Sequence, residues 1–136
     1  MSASSWALQQ AIFAALSASS DLQALIGNPP RLFDEVPRDS AFPYAVIGDD
    51  VETNYDTATE AGSQHIADVD IWSRGGGHKE CKSIADVVRT TLDGAALSPS
   101  GQTLVGIRYQ GADFVRQTDG ETYRATLHFR AVMEPE

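Results

Sequence analysis

The sequence is poor in cysteine, in basic residues and in long apolar runs. Its one cysteine, Cys81, cannot form a disulfide within the chain, which is typical of proteins that fold in a reducing cytoplasm. No apolar run approaches the roughly 18 residues needed to cross a bilayer. The N-terminus also lacks the basic and apolar segments of a secretory signal. We therefore expect no membrane association and no export signal.

Basic residues are outnumbered: 10 Lys and Arg stand against 19 Asp and Glu in 136 residues, which gives a net charge of −9. The excess of acid is concentrated in residues 31–70, where ten acidic residues are accompanied by only Arg31 and Arg38. A protein that grips nucleic acid needs clustered Lys and Arg to displace counterions, so this composition disfavours DNA binding. A solvated acidic surface is the simpler interpretation of the segment.

What the sequence does contain indicates a single domain over residues 1–136, because 42% of its residues are apolar and the length suffices for one core. Apolar stripes at helical spacing predict two main helices, over residues 4–18 and 78–93, and a short helical segment between them that stops at Gly27. Strand patterns are predicted for residues 31–34, 43–50, 64–73, 103–116 and 122–133. The fold class is therefore α+β, with the two main helices packed on one face of an antiparallel sheet.

Two features of the strands carry further predictions. Residues 51–63 are polar and without clear periodicity, so we expect a protruding loop or a loose hairpin arm. Alternation along the other strands predicts one polar sheet face, and its expected members are His65, Asp68, Asp70, Trp72, Arg124, His128 and Arg130. Across this face, the two arginines are expected to neutralise the two aspartates. Trp6 is expected in the core.

The stretch IWSRGGGHKECKS, residues 71–83, invites a comparison with phosphate and metal sites. In a P-loop the lysine directly follows the last glycine, but His78 separates Gly77 from Lys79 here, and Glu80 replaces the third glycine of the dinucleotide fingerprint. His78 and Cys81 would supply only two zinc ligands, and Cys81 lies on the apolar stripe of the helix. We predict that the glycines form a sharp link between strand and helix, with no cofactor and no metal.

No enzyme signature emerges from the remaining residues. The chain lacks the G-x-S-x-G nucleophile elbow. Asp68 and Asp70 lie on the same side of one strand, and paired carboxylates can perform acid–base chemistry, with His128 as a further participant. This reading stays open, but the prediction is that the protein is not an enzyme.

Three segments together resemble a known family. They are FPYAVIG (42–48), DVDIWSRGGGHKECKSIADVVRTTLDG (68–94) and QTLVGIRYQGADFVRQTDGETYRATLHFRAV (102–132). From about Leu8 to Val132, the chain resembles the small tail-completion proteins of long-tailed bacteriophages, of prophages and of phage-like gene transfer agents.

The resemblance implies a tail terminator without catalytic activity. Such a protein forms a hexameric ring on the last ring of the tail tube, stops polymerisation of the tube and joins the tail to the head connector. The implied partners are further copies of the chain, the major tail tube protein and the head connector or stopper protein. DNA passes through the ring without specific binding. The implied location is the head–tail junction of a virion or phage-like particle assembled in the bacterial cytoplasm.

The candidate interface residues for such a ring share charge or aromatic character on the arm and on the polar face. They are Asp49, Asp50, Glu52, Tyr55, Asp56, Trp72, Arg74, Arg124 and Arg130. Acidic residues of segment 31–70 that lined the hole would repel DNA phosphates and let the genome slide. Two alternatives remain: another component of the head–tail neck, or a small monomeric α+β module that holds a ligand between helix and sheet.

Overall fold

A computed structural model describes residues 4–136, which form three helices and five strands. In chain order these are α1 (Ser4–Ser17), α2 (Ser20–Ile26), β1 (Leu32–Phe33), β2 (Tyr44–Asn54), β3 (Ser63–Ser73), α3 (His78–Leu92), β4 (Gln102–Arg116) and β5 (Tyr123–Pro135). The predicted α+β class is confirmed. Residues 1–3 of the predicted domain lie outside the described part.

The strands form one sheet in the order β1-β2-β3-β5-β4. Each neighbouring pair is antiparallel except β1 and β2, which run parallel through the pairs Leu32↔Ala45 and Phe33↔Val46. The prediction of a purely antiparallel sheet is therefore wrong at this edge, and the sheet is mixed. The reason is the connection 34–43, which carries the chain back along the sheet before β2 begins in the same direction as β1.

The helices cover one face of the sheet. α1 packs on β1 and β2, α3 packs on β3, β4 and β5, and the short α2 contacts both of the longer helices. The predicted apolar stripes are buried, among them Leu8, Ile12, Ile84 and Val88. Each such side chain contributes about 1.5–3 kcal/mol when fully buried. The helix layer differs from the prediction only in that α2 is a third, complete helix.

Cys81 is part of this core. Its thiol is 1% exposed and lies 3.7 Å from the carbonyl oxygen of Ile71, to which it donates a weak hydrogen bond. Burial raises the pKa of the Cys81 thiol to about 11. Because the thiolate is the reactive form, this cysteine is a packing residue, as its position on the apolar stripe predicted.

The connection between β3 and α3 has the sharp geometry that its glycines predicted. Gly76 has φ +81° and Gly77, at the N-terminus of α3, has φ +149°. Residues with a Cβ rarely adopt either value. The glycines thus turn the chain from the sheet into the helix layer.

The segment 51–63 is a hairpin arm, one of the two predicted forms, and only its middle part is a loop. Val51–Asn54 complete β2 and Ser63 begins β3, so only residues 55–62 form the connection. Within it, the Asp56 carboxylate accepts a hydrogen bond of 2.9 Å from the backbone N–H of Gly62. The side chains of residues 51–61 are exposed. We call residues 55–62 the arm tip.

Candidate functional site

A β-bulge in β2 decides where the acidic side chains of this strand point. Pairing with β3 moves from Ile47↔Val69 to Asp50↔Ala67, so β2 has one extra residue across this step. Beyond the bulge, Asp50 and Glu52 share the sheet face that carries the helices. Strict alternation would have placed Asp50 on the opposite face.

Gly48 lies in the bulge because a side chain would not fit there. A Cβ at this position would lie 2.9 Å from Asp70 Oδ2 and 3.1 Å from the backbone oxygen of Asp68. Both distances are shorter than ordinary van der Waals contact. The bulge therefore depends on the absence of a side chain at residue 48.

Asp50 and Glu52 meet the N-terminus of α1. Ser5 Oγ donates a short hydrogen bond to Asp50 Oδ2, and Ser4 Oγ donates one of 2.8 Å to Glu52 Oε1. The first turn of α1 contains no acidic residue of its own. Carboxylates near a helix N-terminus stabilise the partial positive charge there, so β2 supplies this stabilisation to α1.

His65 lies beneath this contact. It is fully buried, with Nδ1 3.4 Å from Asp50 Oδ2 and Nε2 3.0 Å from Ser63 Oγ. Burial alone would raise the pKa of Asp50, but hydrogen bonds from His65 and Ser5 and the charge of His65 outweigh burial and hold this pKa below its ordinary value. The prediction that His65 belongs to the polar face is wrong. Alternate side chains of β3 are buried, and His65 is one of them, together with Ala67 and Val69.

The opposite face of the sheet carries no helix of the described residues, and its polar side chains pair with one another. His128 Nδ1 lies 2.7 Å from Asp68 Oδ1, and His128 Nε2 lies 3.1 Å from Asp113 Oδ2. The Asp113 and Asp68 hydrogen bonds raise the pKa of His128 above its ordinary value. Thr126 Oγ1 donates a hydrogen bond of 2.6 Å to Asp70.

The predicted neutralisation by arginine is wrong, because these aspartates already have other partners. Arg130 instead donates a hydrogen bond of 2.8 Å to Gln64 and lies with its guanidinium carbon 5.6 Å from the centre of the Tyr55 ring. Arg124 Nε is buried without a hydrogen-bond partner among residues 4–136. A buried N–H group without an acceptor costs folding free energy, so Arg124 is not neutralised here by either aspartate.

Acid–base chemistry by Asp68, Asp70 and His128 has little support in this geometry. Asp70 is bonded to Thr126, whereas Asp68 is bonded to His128, so the three groups do not converge on one point. The cavity of about 10 Å³ that Asp68 helps to line lies under α1, on the opposite face of the sheet from His128.

A second group of candidate residues gathers where β3 ends. Trp72 lies opposite Tyr44 on β2 and opposite Arg124 on β5. Next to them, the Arg74 guanidinium carbon lies 4.3 Å from the centre of the Phe42 ring. Aromatic and arginine side chains are the usual anchors of protein interfaces. We call these five residues the aromatic–arginine cluster; Phe42 was missed because it stands in a polar connection.

The structure thus separates the nine predicted interface residues into distinct groups. Asp50 and Glu52 have partners within the subunit, whereas Asp49 is exposed in the bulge. Tyr55 and Asp56 begin the arm tip. The remaining ones, Trp72, Arg74, Arg124 and Arg130, lie on or beside the open sheet face.

Trp6 is exposed, so the prediction that it lies in the core is wrong. It is 52% exposed, and Phe13 is 40% exposed, on the side of α1 opposite to Leu8 and Ile12. Together with Gln9, Gln10 and Asp34 they line a groove of about 410 Å³. Sequence periodicity could not reveal this surface because α1 has apolar residues on both sides.

Neither a metal-binding cluster nor a membrane-spanning helix occurs among the described residues. Within residues 4–136, no three His, Cys, Asp or Glu side chains are close enough to hold a metal ion. In the same part of the chain, no helix has the length and apolar character needed to span a membrane.

Comparison with known proteins decides the family. Residues 10–134 match the family described as "Tail completion protein gp17". The chain belongs to this family. The tail completion protein gp17 of Bacillus phage SPP1 is 27% identical over 124 residues, which are 91% of this chain and 90% of that protein. A chain in the solved structure titled "Virion of native gene transfer agent (GTA) particle" superposes with a TM-score of 0.90 at 30% identity, covering 98% of this chain and 99% of that chain.

These matches confirm the predicted resemblance to tail-completion proteins of phages and gene transfer agents, and with it the association with a virion or phage-like particle. The part matched by the gp17 family includes the arm tip, the open sheet face and the aromatic–arginine cluster. Trp6 precedes the matched residues, although the superposition with the gene transfer agent chain covers nearly the whole chain.

Proposed function

We propose that this member of the gp17 family is a tail terminator. In this role, copies of the chain close into a hexameric ring on the end of the tail tube, stop its polymerisation and join the tail to the head connector. The observation that carries the proposal is the open sheet face, since no helix of residues 4–136 covers it and it ends in the aromatic–arginine cluster. A face of this kind is suited to contact with other subunits rather than to turnover of a substrate.

The arm tip supports contacts beyond the subunit. Residues 55–61 of the arm tip are exposed, and the Tyr55 side chain presents aromatic surface at 47% exposure. The Arg130 guanidinium carbon lies 5.6 Å from the centre of the Tyr55 ring, so the first residue of the arm tip is in contact with the sheet. We assign the arm tip to contacts with the tail tube protein or with a neighbouring copy.

The acidity of the chain is consistent with DNA passing through the ring without specific binding. Six copies at −9 each would carry −54 formal charges. Because Asp50 and Glu52 bond to α1, the exposed carboxylates of β2 and the arm tip that remain to face a channel are those of Asp49, Asp56 and Glu60. Acidic groups there would repel phosphates and reduce friction on the genome.

The deciding experiment compares particles made with and without this protein. Without it, we expect tail tubes of uncontrolled length and no attached heads, seen by electron microscopy. Addition of the purified chain to growing tubes of the matching tail tube protein should stop elongation and leave a ring at one end. Tubes of normal length that only fail to join heads would favour another neck component instead. A chain that stays monomeric, does not bind tail tubes and retains a small molecule would support the ligand-binding alternative and overturn the proposal.

A further inference from the structure

Two apolar surfaces of the subunit are left exposed at opposite flanks of the fold. One is the groove on α1, which we call the α1 crest and define by Trp6, Gln9, Gln10 and Phe13. Among residues 4–136, the lining of this groove includes one charged side chain, that of Asp34. Exposed aromatic surface of this kind is typical of a contact site.

The second surface lies along β4, the edge strand on the far side of the sheet. At this edge Phe114, on the helix-covered face of the sheet, is 38% exposed, and Val115, on the open face, is 39% exposed. Lys82 Nζ lies 5.1 Å from the centre of the Phe114 ring, and the Arg116 guanidinium carbon lies 5.3 Å from the centre of the neighbouring Tyr123 ring. We call Lys82, Phe114, Val115 and Arg116 the β4 flank.

The two surfaces are complementary in charge and cannot meet within one subunit. Each presents aromatic side chains, but the α1 crest carries the Asp34 carboxylate whereas the β4 flank carries cations. α1 packs on β1 and β2, at the edge of the sheet opposite to β4. A contact between unlike surfaces of two identical chains is heterologous, and such contacts generate closed rings when the rotation between neighbours permits.

We infer that the α1 crest of one copy docks on the β4 flank of the next, so that this pair of surfaces forms the repeated contact of the ring. The inference rests on the proposed function, which supplies the ring but not the surfaces that join its subunits. Trp6 and Phe13 are its apolar anchors on one side, and Phe114 is the anchor on the other. Asp34 faces the cations of the neighbouring copy.

The test uses cysteines placed on the two surfaces. Gln10→Cys and Val115→Cys are combined in one chain, which is incubated with growing tail tubes and then treated with a short bismaleimide. We expect a ladder of covalent oligomers that ends at the size of the closed ring. Cys81 will not compete because its side chain is buried.

Matched controls separate this geometry from others. Each single variant alone should give no covalent product, and an equal mixture of the two single variants should give dimers and nothing larger. Dimers from Gln10→Cys alone would show that like surfaces meet and would overturn the inference. A double variant that caps tubes normally but stays monomeric on a denaturing gel would also overturn it, while leaving the proposed function intact. Failure of the wild-type chain to cap tubes would remove the proposed function and the inference together.

Discussion

Gly48 is the residue on which the geometry of the β2–β3 hairpin most directly depends. We predict that Gly48→Ala lowers the free energy of unfolding by about 1–3 kcal/mol, because the added methyl group must displace the backbone of Asp68 or the carboxylate of Asp70. Urea titration followed by circular dichroism would measure the change.

Gly106→Ala is the matched control for this substitution. Gly106 also lies at a register shift, in β4, but an added Cβ would have no heavy atom within 4 Å. We expect a change of less than about 0.5 kcal/mol at this position. Equal losses in both variants would contradict the proposed steric role of Gly48.

Single residues were predictable from the sequence where local pattern alone decides their environment. Cys81 and Leu8 lie on helical stripes, and both are buried as expected. Asp50 was not predictable, because one extra residue in β2 reverses the faces of every later residue in the strand. The predicted pairing of Arg124 and Arg130 with the aspartates was also wrong, because Asp68 bonds to His128 and Asp70 bonds to Thr126.

At the scale of the element, α1 depends on carboxylates that belong to β2. We predict that Asp50→Asn lowers the free energy of unfolding by about 1 kcal/mol at pH 7 and increases amide hydrogen exchange in the first turns of α1. Since the pKa of Asp50 is lowered in the folded protein, its contribution is present above the unfolded pKa near 4 and is lost as pH falls through the folded pKa. The difference between wild type and variant should therefore shrink in acid.

Asp49→Asn provides the comparison for Asp50, since it removes the same charge from the neighbouring, exposed position. We expect no change in the exchange of α1 and less than about 0.5 kcal/mol in stability. The role assigned to Asp50 would be wrong if its difference from wild type stayed constant, or grew, from pH 7 to pH 3.

The helices and strands differed in how far the sequence alone predicted them. α3 and the β4–β5 hairpin depend on local periodicity and on turn residues such as Asp119, so they were predicted nearly in full. The direction of β1 could not be predicted, because two residues carry no periodicity and their pairing with β2 depends on the path of the connection between them. The exposed side of α1 was missed because apolar residues lie on both sides of this helix, so periodicity does not distinguish the buried side.

For the whole molecule, the layered fold separates stability from assembly. The helices cover one face of the sheet and enclose the core, whereas the open face, the arm tip and the exposed residues of β4 lie outside that core. Buried apolar contacts dominate folding stability, whereas a few exposed anchors dominate association. We therefore expect variants at the exposed surfaces to reduce capping of tail tubes without lowering the free energy of unfolding.

Replacement of residues 56–61 in the arm tip by a short Asn-Gly turn tests this separation. We expect the free energy of unfolding to change by less than about 1 kcal/mol, because the removed side chains are exposed and lie beyond the paired strands. Capping of growing tail tubes should fall at least tenfold, measured as the protein concentration needed to halt elongation. Unaltered capping by a folded arm-tip variant would show that the arm contacts neither the tube nor a neighbouring copy, and the open sheet face would then have to supply both contacts.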